Sequence, residues 1–172
     1  MEVKTMLTGP IAIREAIAED VPFLQAMIWE AILASPTLLV QDGLETMQQY
    51  EEHYWRCWPE HPDPAFVALD GAGRKLGAIT VKPNDADEPV SGWRIGIGVE
   101  SFARGQGIGQ HLIEQAIAFA REKGALYVNL FVDPTNTKAI ALYQRPGFVE
   151  VGKVGELIEM RIDLNDKREV VS

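Results

Sequence analysis

Residues 99–112 read Val99-Glu100-Ser101-Phe102-Ala103-Arg104-Gly105-Gln106-Gly107-Ile108-Gly109-Gln110-His111-Leu112. The residues before them, 93–99, are short and apolar enough for a β-strand, and apolar residues recur at helical spacing over residues 108–120. A glycine-rich turn that leads into a helix N-terminus presents unpaired backbone N–H groups at the positive end of the helix dipole. The stretch therefore predicts a strand, an anion-binding loop and a helix, and phosphate is the usual anion at such a loop.

The spacing of the glycines excludes two common phosphate-binding patterns. The dinucleotide-binding pattern requires a third glycine three residues after the second, but residue 110 is Gln. The pattern that ends in Gly-Lys-Ser/Thr is absent from the sequence as well. The remaining pattern, Arg104-x-x-Gly107-x-Gly109, resembles the acyl-CoA pyrophosphate loop of the GNAT-type N-acetyltransferases. Read alone, the loop is also compatible with a tight turn that only allows close packing.

A second segment is similar to the other conserved motif of the same superfamily. Residues 126–132 predict a buried strand, residues 133–136 a turn with capping residues, and residues 138–143 a short helix that ends at Pro146-Gly147. The motif reads Asn136 … Ala139 … Leu142-Tyr143 … Gly147-Phe148. Both motifs occur in the family's order and at its separation, and the resemblance covers residues 64–163. Arg145-Pro146 departs from the family pattern, which leaves the direction of the Tyr143 side chain open.

Length and composition limit the class of protein. A chain of 172 residues with 47% hydrophobic and 24% charged residues is most simply one domain, which we assign to residues 1–164, followed by a frayed tail over residues 165–172. A net charge of −9 argues against nucleic-acid binding, because that binding needs a basic face. The single cysteine, Cys57, excludes an internal disulfide. No apolar run has the length of a membrane span and the N-terminus does not read as a signal peptide, so we expect a cytoplasmic protein without a membrane partner.

The order of the predicted elements indicates the fold class. A strand over residues 11–16 precedes a helix capped by Asp20 and a second helix over residues 44–55; three strands, the helix after the glycine loop, a strand, the short helix and two strands follow. This order predicts a mixed α/β (α+β) fold with helices flanking a largely antiparallel sheet. The strands before the glycine loop and before Asp133 are joined by a helix and should run parallel. The resemblance implies that this parallel pair splays apart around the pantetheine arm of acetyl-CoA.

The resemblance also implies the activity and the residues that perform it. The expected activity is that of an acetyl-CoA-dependent N-acetyltransferase, an acyltransferase in which a primary amine of a small molecule or peptide attacks acetyl-CoA directly within a ternary complex. Acetyl-CoA is then a co-substrate, no metal is needed, and the cofactor-binding positions are Ile97, Val99, Arg104, Gly105, Gln106, Gly107, Ile108, Gly109 and Asn136. Tyr143 matches the residue that protonates the departing sulfur, and a phenol with an ordinary pKa near 10 is protonated at pH 7. The alternatives are that Asn136 only caps its helix and that Tyr143 only packs on the sheet.

Several assignments stay open. Glu100 is the candidate general base, holding a water that deprotonates the amine; a solvated carboxylate at this position, Glu30 as the base, or entry of the amine in its neutral form are the alternatives. His53, His61 and His111 are interpreted as surface residues, with donation from His111 to the phosphate loop as the alternative for that residue. The aromatic residues Trp29, Tyr54, Trp55, Trp58 and Trp93 either line the acceptor pocket or belong to the core. Acidic residues between positions 42 and 63 favour a cationic acceptor, and the alternative is a solvated acidic face that serves only solubility. A non-catalytic acyl-CoA-binding or regulatory module with the same fold is the alternative function, and a homodimer is left open.

Overall fold

The computed structural model describes residues 7–34, 64–84 and 91–164, which form one mixed sheet with helices on both faces. Within these residues the strands lie in the order β1-β2-β3-β4-β5-β7-β6. They are β1 (Ala12–Glu15), β2 (Ala65–Leu69), β3 (Lys75–Pro83), β4 (Gly92–Val99), β5 (Tyr127–Val132), β6 (Val149–Val154) and β7 (Leu157–Asp163). The α-helices are α1 (Val21–Ala34), α2 (Ile108–Glu122) and α3 (Thr137–Gln144). All neighbouring strands are antiparallel except β4 and β5, which run parallel. The predicted fold class is confirmed, whereas the predicted helix over residues 44–55 and the predicted tail lie outside the described residues.

The helices divide between the two faces of the sheet, called here the α1 face and the α2 face. Trp93 of β4 meets Phe119 of α2 edge-on, with 5.9 Å between the ring centroids. On the opposite face, a Cβ atom on Gly98 of β4 would lie 2.7 Å from the Met27 carbonyl oxygen of α1, so only glycine allows this approach. Because Trp93 is 5% exposed and packs against α2, it belongs to the core and does not line a pocket on the α1 face.

Gly96 and Gly98 lie inside β4, and a glycine inside a strand marks a bulge or a close approach of another part of the chain. The β3–β4 register is regular through Gly96 and Gly98, which excludes a bulge at either position. The close approach is that of helix α1, because a Cβ atom on Gly98 would meet Met27 and one on Gly96 would lie 3.5 Å from Ile28 Cδ1. These glycines therefore determine how tightly α1 packs on the strand that borders the splay.

Asp20 does not cap α1 as predicted; it is a buried ion-pair partner. Its carboxylate accepts hydrogen bonds from the Ile17 backbone N–H (2.8 Å) and Arg14 Nη1 (2.6 Å) and lies 2.7 Å from Lys75 Nζ. Burial alone would raise the pKa of Asp20, but the hydrogen bonds from Arg14, Lys75 and Ile17 hold it well below its usual range. The carboxylate thus ties β1 and β3 to the start of α1.

A second buried carboxylate, Asp70, organises the predicted hairpin turn between β2 and β3. It accepts hydrogen bonds from the backbone N–H groups of Thr8, Ala72 and Arg74, at 3.3, 3.0 and 2.9 Å, and from Arg74 Nε at 2.8 Å. Burial opposes ionisation, but these donors outweigh it and lower the pKa of Asp70 to about 2. The turn chemistry expected for residues 70–74 is therefore reinforced by a contact with the N-terminal segment.

Candidate active site

The parallel strands β4 and β5 separate soon after they pair. They are in register only from Gly92 with Tyr127 to Arg94 with Asn129, although β4 continues to Val99 and β5 to Val132. Beyond Arg94 and Asn129, each strand keeps its outer neighbour, β3 for β4 and β7 for β5. Beyond this pair, the facing edges of β4 and β5 are not hydrogen-bonded to each other and enclose a wedge-shaped gap, which we call the splay.

Backbone groups of alternate β4 residues point into the splay. The Gly92 carbonyl accepts from Asn84 N–H, and Glu100 N–H donates to the Leu76 carbonyl, so even-numbered residues direct their backbone groups towards β3. Because these directions alternate along a strand, the backbone groups of Ile95, Ile97 and Val99 point towards β5. An amide-rich chain laid along β4 can bind these groups as an added strand would.

The glycine loop joins the open end of the splay to α2. Gly105 and Gly107 have φ of +76° and +83°, a left-handed conformation that other residues rarely adopt. Gly107 is the N-cap of α2, and Ile108, the first helical residue, is 1% exposed in the core. The first-turn N–H groups of Ile108, Gly109 and Gln110 have no partners within the helix, so the loop can offer them to an anion.

Gly109 has a different role from Gly107. A Cβ atom on Gly107 would meet nothing within 4 Å, whereas one on Gly109 would lie 2.9 Å from Leu142 Cδ2 of α3. The third glycine of the loop therefore lets α3 pack against the first turn of α2. Since α3 carries Tyr143, this contact links the glycine loop to the position of the Tyr143 side chain.

Arg104 is the cationic side chain of the loop. Its Nε donates to the Val99 carbonyl at 3.1 Å, and its Nη2 lies 3.7 Å from Glu30 Oε2 of α1. Both side chains of this ion pair are more than half exposed, so the pair is weak and can be exchanged for a stronger anion. The Val99 carbonyl is already occupied by Arg104, which leaves the Val99 N–H as its group for a ligand in the splay.

Tyr143 lies in the core of the α2 face with its ring edge-on to Phe148, at 6.2 Å between centroids. Among the described residues its hydroxyl group makes no hydrogen bond. Burial raises the pKa of Tyr143 to about 12, so the phenol is fully protonated at neutral pH. Pro146 does not turn the ring into solvent, because Tyr143 remains 8% exposed.

Asn136 and Glu100 take simple local positions. Asn136 is the N-cap of α3, and its Oδ1 accepts a hydrogen bond from the Ala139 N–H at 3.2 Å. Its side-chain amide N–H groups remain for other contacts. Glu100 is half-buried immediately after β4, beside the glycine loop at the open end of the splay.

The other sequence candidates are placed as follows. His111 is exposed and lines a shallow depression beside β1 with Ile11 and Ile13. Trp29 is half-buried and packs against the apolar residues between α1 and the sheet, among them Leu24 and Met27. His53, His61, Cys57 and the aromatic residues at 54, 55 and 58 lie outside the described residues, as does the acidic segment 42–63. Over residues 7–34, 64–84 and 91–164 no three His, Cys, Asp or Glu side chains form a group that could hold a metal ion. No helix in this part of the chain is long and apolar enough to cross a membrane.

Sequence reasoning missed a polar cluster at the base of the splay. Asn129 of β5 is 5% exposed; its Oδ1 accepts from Asn84 Nδ2 at 2.9 Å and its Nδ2 donates to Glu159 Oε2 at 3.1 Å. Arg161 Nη2 also donates to Glu159 Oε2, at 3.3 Å. The signal that could have found it is an asparagine inside an otherwise apolar buried strand, because such a residue needs polar partners.

Comparison with known proteins identifies similar sequences and structures. The acetyltransferase (GNAT) family model matches residues 27–148. A mycothiol acetyltransferase from Arthrobacter sp. (strain FB24) is 38% identical over 90 residues, which cover 50% of this chain and 28% of that protein. Another, from Beutenbergia cavernae, is 31% identical over 150 residues, or 70% of this chain and 49% of that protein. The chain thus spans half or less of the length of these relatives. A spermidine N-acetyltransferase from Vibrio cholerae, solved with CoA and spermine, has a TM-score of 0.64 at 18% identity, with 90% of this chain and 95% of that chain covered.

Proposed function

Because the chain belongs to the acetyltransferase (GNAT) family, we propose that it transfers an acetyl group from acetyl-CoA to a primary amine of a small molecule or peptide. The observation that carries this proposal is the splay, which ends at a glycine loop and a helix N-terminus. The inner edge of β4 can bind the amides of a pantetheine arm, and the loop can bind a pyrophosphate. Because the loop follows β4 along the chain, both features lie at the open end of the splay.

The residues of the splay and the loop have separate roles in this proposal. Backbone groups of Ile97 and Val99 bind the arm, and Arg104 with the loop residues 105–109 holds the phosphates. Asn136 offers its side-chain amide N–H groups to the arm while its oxygen caps α3. This division of roles uses backbone and amide N–H groups together with Arg104, whose weak ion pair with Glu30 can be exchanged for phosphate.

The chemistry requires a neutral amine and a protonated leaving group. A new bond forms between the amine nitrogen and the acetyl carbon, and the bond between that carbon and sulfur breaks. The amine proton passes to water in the splay, whose open end carries Glu100, and the Tyr143 hydroxyl donates to the departing sulfur. Tyr143 lies on the α2 face, so the acceptor approaches from the α1 face of the splay.

Acetyl transfer is tested by incubating the protein with acetyl-CoA and a panel of primary amines. Loss of thioester absorbance and the mass of the acetylated product are followed together, because thioester hydrolysis alone gives no acetylated amine. We expect amine-dependent turnover and calorimetric binding of acetyl-CoA. Binding of acetyl-CoA without turnover of any amine would instead support the non-catalytic acyl-CoA-binding module. The absence of binding would contradict both functions.

The names of the matched proteins suggest which kind of amine is the acceptor. One matched relative is a mycothiol acetyltransferase and one structural neighbour was solved with spermine. We propose that the acceptor of this chain is a small or flexible amine, a class to which spermine belongs.

A further inference from the structure

The polar cluster at the base of the splay lies on the face from which the acceptor approaches. In β5, Val128, Leu130 and Val132 belong to the core of the α2 face. Because side chains alternate along a strand, Asn129 and Phe131 face the α1 side. Asn129 pairs with Arg161 of β7 and Phe131 pairs with Glu159. Directly paired residues share a face, so Glu159 and Arg161 lie on the α1 face as well.

Glu159 is held in a defined orientation by two side chains. One oxygen, Oε2, accepts from Asn129 Nδ2 at 3.1 Å and from Arg161 Nη2 at 3.3 Å. The Arg161 guanidinium is in turn stacked 3.8 Å from the centre of the Tyr127 ring, and Asn129 is fixed by Asn84. The other oxygen, Oε1, accepts no hydrogen bond from any described residue, and the side chain is 19% exposed. Glu159 is therefore a partly buried carboxylate with one oxygen held by hydrogen bonds and the other available.

Glu159 lies at the position along the splay where the sulfur end of a bound pantetheine arm is expected. Glu159 pairs with Phe131, two residues beyond the Asn129–Arg94 pair, and this is the level of Gly96 on β4. An extended pantetheine arm is about as long as four to five extended residues, or about 15 Å. Counted back along β4 from Glu100, which follows its last residue, four residues place the sulfur end of the arm near Gly96.

We infer that Glu159 binds the ammonium group of the acceptor through its available oxygen; this rests on the proposed acetyl transfer. A primary amine is cationic at neutral pH, since its ordinary pKa is near 10. Moving that cation out of water into the splay is costly unless a negative group receives it. Glu159 provides that group at the level of the reacting carbon, and Asn129 and Arg161 are its positioning residues. The substrate class is therefore a primary ammonium compound.

This role of Glu159 is tested by comparing the binding of ammonium compounds with that of a neutral compound. The probes are 2-phenylethylamine, spermidine and lysinamide, with 2-phenylethanol as the neutral counterpart of the first, measured by calorimetry on protein saturated with CoA. We expect Glu159→Gln to weaken binding of the ammonium probes about 10-fold to 100-fold, the usual loss for one charge-assisted hydrogen bond. Binding of 2-phenylethanol and of CoA should be unchanged. Glu156→Gln is the matched control, because Glu156 is an exposed carboxylate of the turn that precedes β7.

Kinetics separate this inference from the proposed function. For any amine of the panel that is acetylated, Glu159→Gln should raise the KM of the amine and leave the KM of acetyl-CoA within twofold. Equal losses for charged and neutral probes, or a loss confined to thermal stability, would make Glu159 a structural partner of Arg161 and overturn the inference. Ammonium probes that fail to bind the wild type would overturn it too. In each of these cases, turnover of an amine by the wild type would still support acetyl transfer.

Discussion

Replacing Tyr143 by Phe removes one hydroxyl group and keeps the ring that packs against Phe148. Burial raises the pKa of Tyr143 to about 12, while an alkyl thiol has a pKa of about 8.5. Complete proton transfer to the departing thiolate is therefore uphill by about 3.5 pKa units, or about 5 kcal/mol. The hydroxyl group acts chiefly as a hydrogen-bond donor to the developing negative charge on sulfur. Such charge-assisted bonds contribute about 1.5–3 kcal/mol, so kcat should fall about 10-fold to 100-fold.

The same variant should leave folding and acetyl-CoA affinity almost unchanged. The hydroxyl group has no hydrogen-bond partner among the described residues, so its removal leaves no other polar group without a partner. We therefore expect the free energy of unfolding to change by no more than about 0.5 kcal/mol. Single-turnover loss of thioester absorbance reports the chemical step, and calorimetry reports acetyl-CoA binding. If kcat were unchanged when chemistry limits the rate, the donor role would be wrong and Tyr143 would be a packing residue.

Four further substitutions test the loop and one buried carboxylate. Gly107→Ala and Gly124→Ala replace glycines with φ of +83° and +85° and open space around them, so each should cost about 1–2 kcal/mol of stability, but only Gly107→Ala should weaken acetyl-CoA binding in calorimetry; equal binding by both variants would contradict the phosphate-binding loop. Arg104→Gln should weaken acetyl-CoA binding about 3-fold to 10-fold with a smaller dependence on salt concentration, and an unchanged salt dependence would exclude Arg104 from phosphate binding. The lowered pKa of Asp70 stabilises the fold above about pH 4, and this contribution is lost as the pH falls towards 2. Asp70→Asn should therefore lower Tm at pH 7 but much less near pH 2.5, and a constant difference between these pH values would refute the assignment.

Features that depend on neighbouring residues were predictable from the sequence. The strand, loop and helix of residues 93–122 follow from apolar periodicity and from glycines that tolerate a left-handed conformation, and the observed φ of Gly105 and Gly107 agrees with that reasoning. The Asp70 turn and the start of α3 at Asn136 follow from turn and cap chemistry in the same way. The parallel pairing of β4 and β5 followed from the helix that joins them.

Features that depend on residues far apart in the chain required the tertiary structure. Trp93 could line a pocket or the core until the sheet placed it against Phe119, and Asp20 read as a helix cap until folding brought Lys75 beside it. Glu159 was one polar residue of an alternating strand, and only the pairing of β7 with β5 set it beside Asn129 at the base of the splay. The physical reason is that periodicity, turns and caps act over a few neighbouring residues, whereas strand register and helix packing bring together residues far apart in the chain, such as Asn129 and Glu159. Local sequence therefore determined the elements and the anion-binding loop, and the tertiary structure alone decided which side chains face the reacting groups.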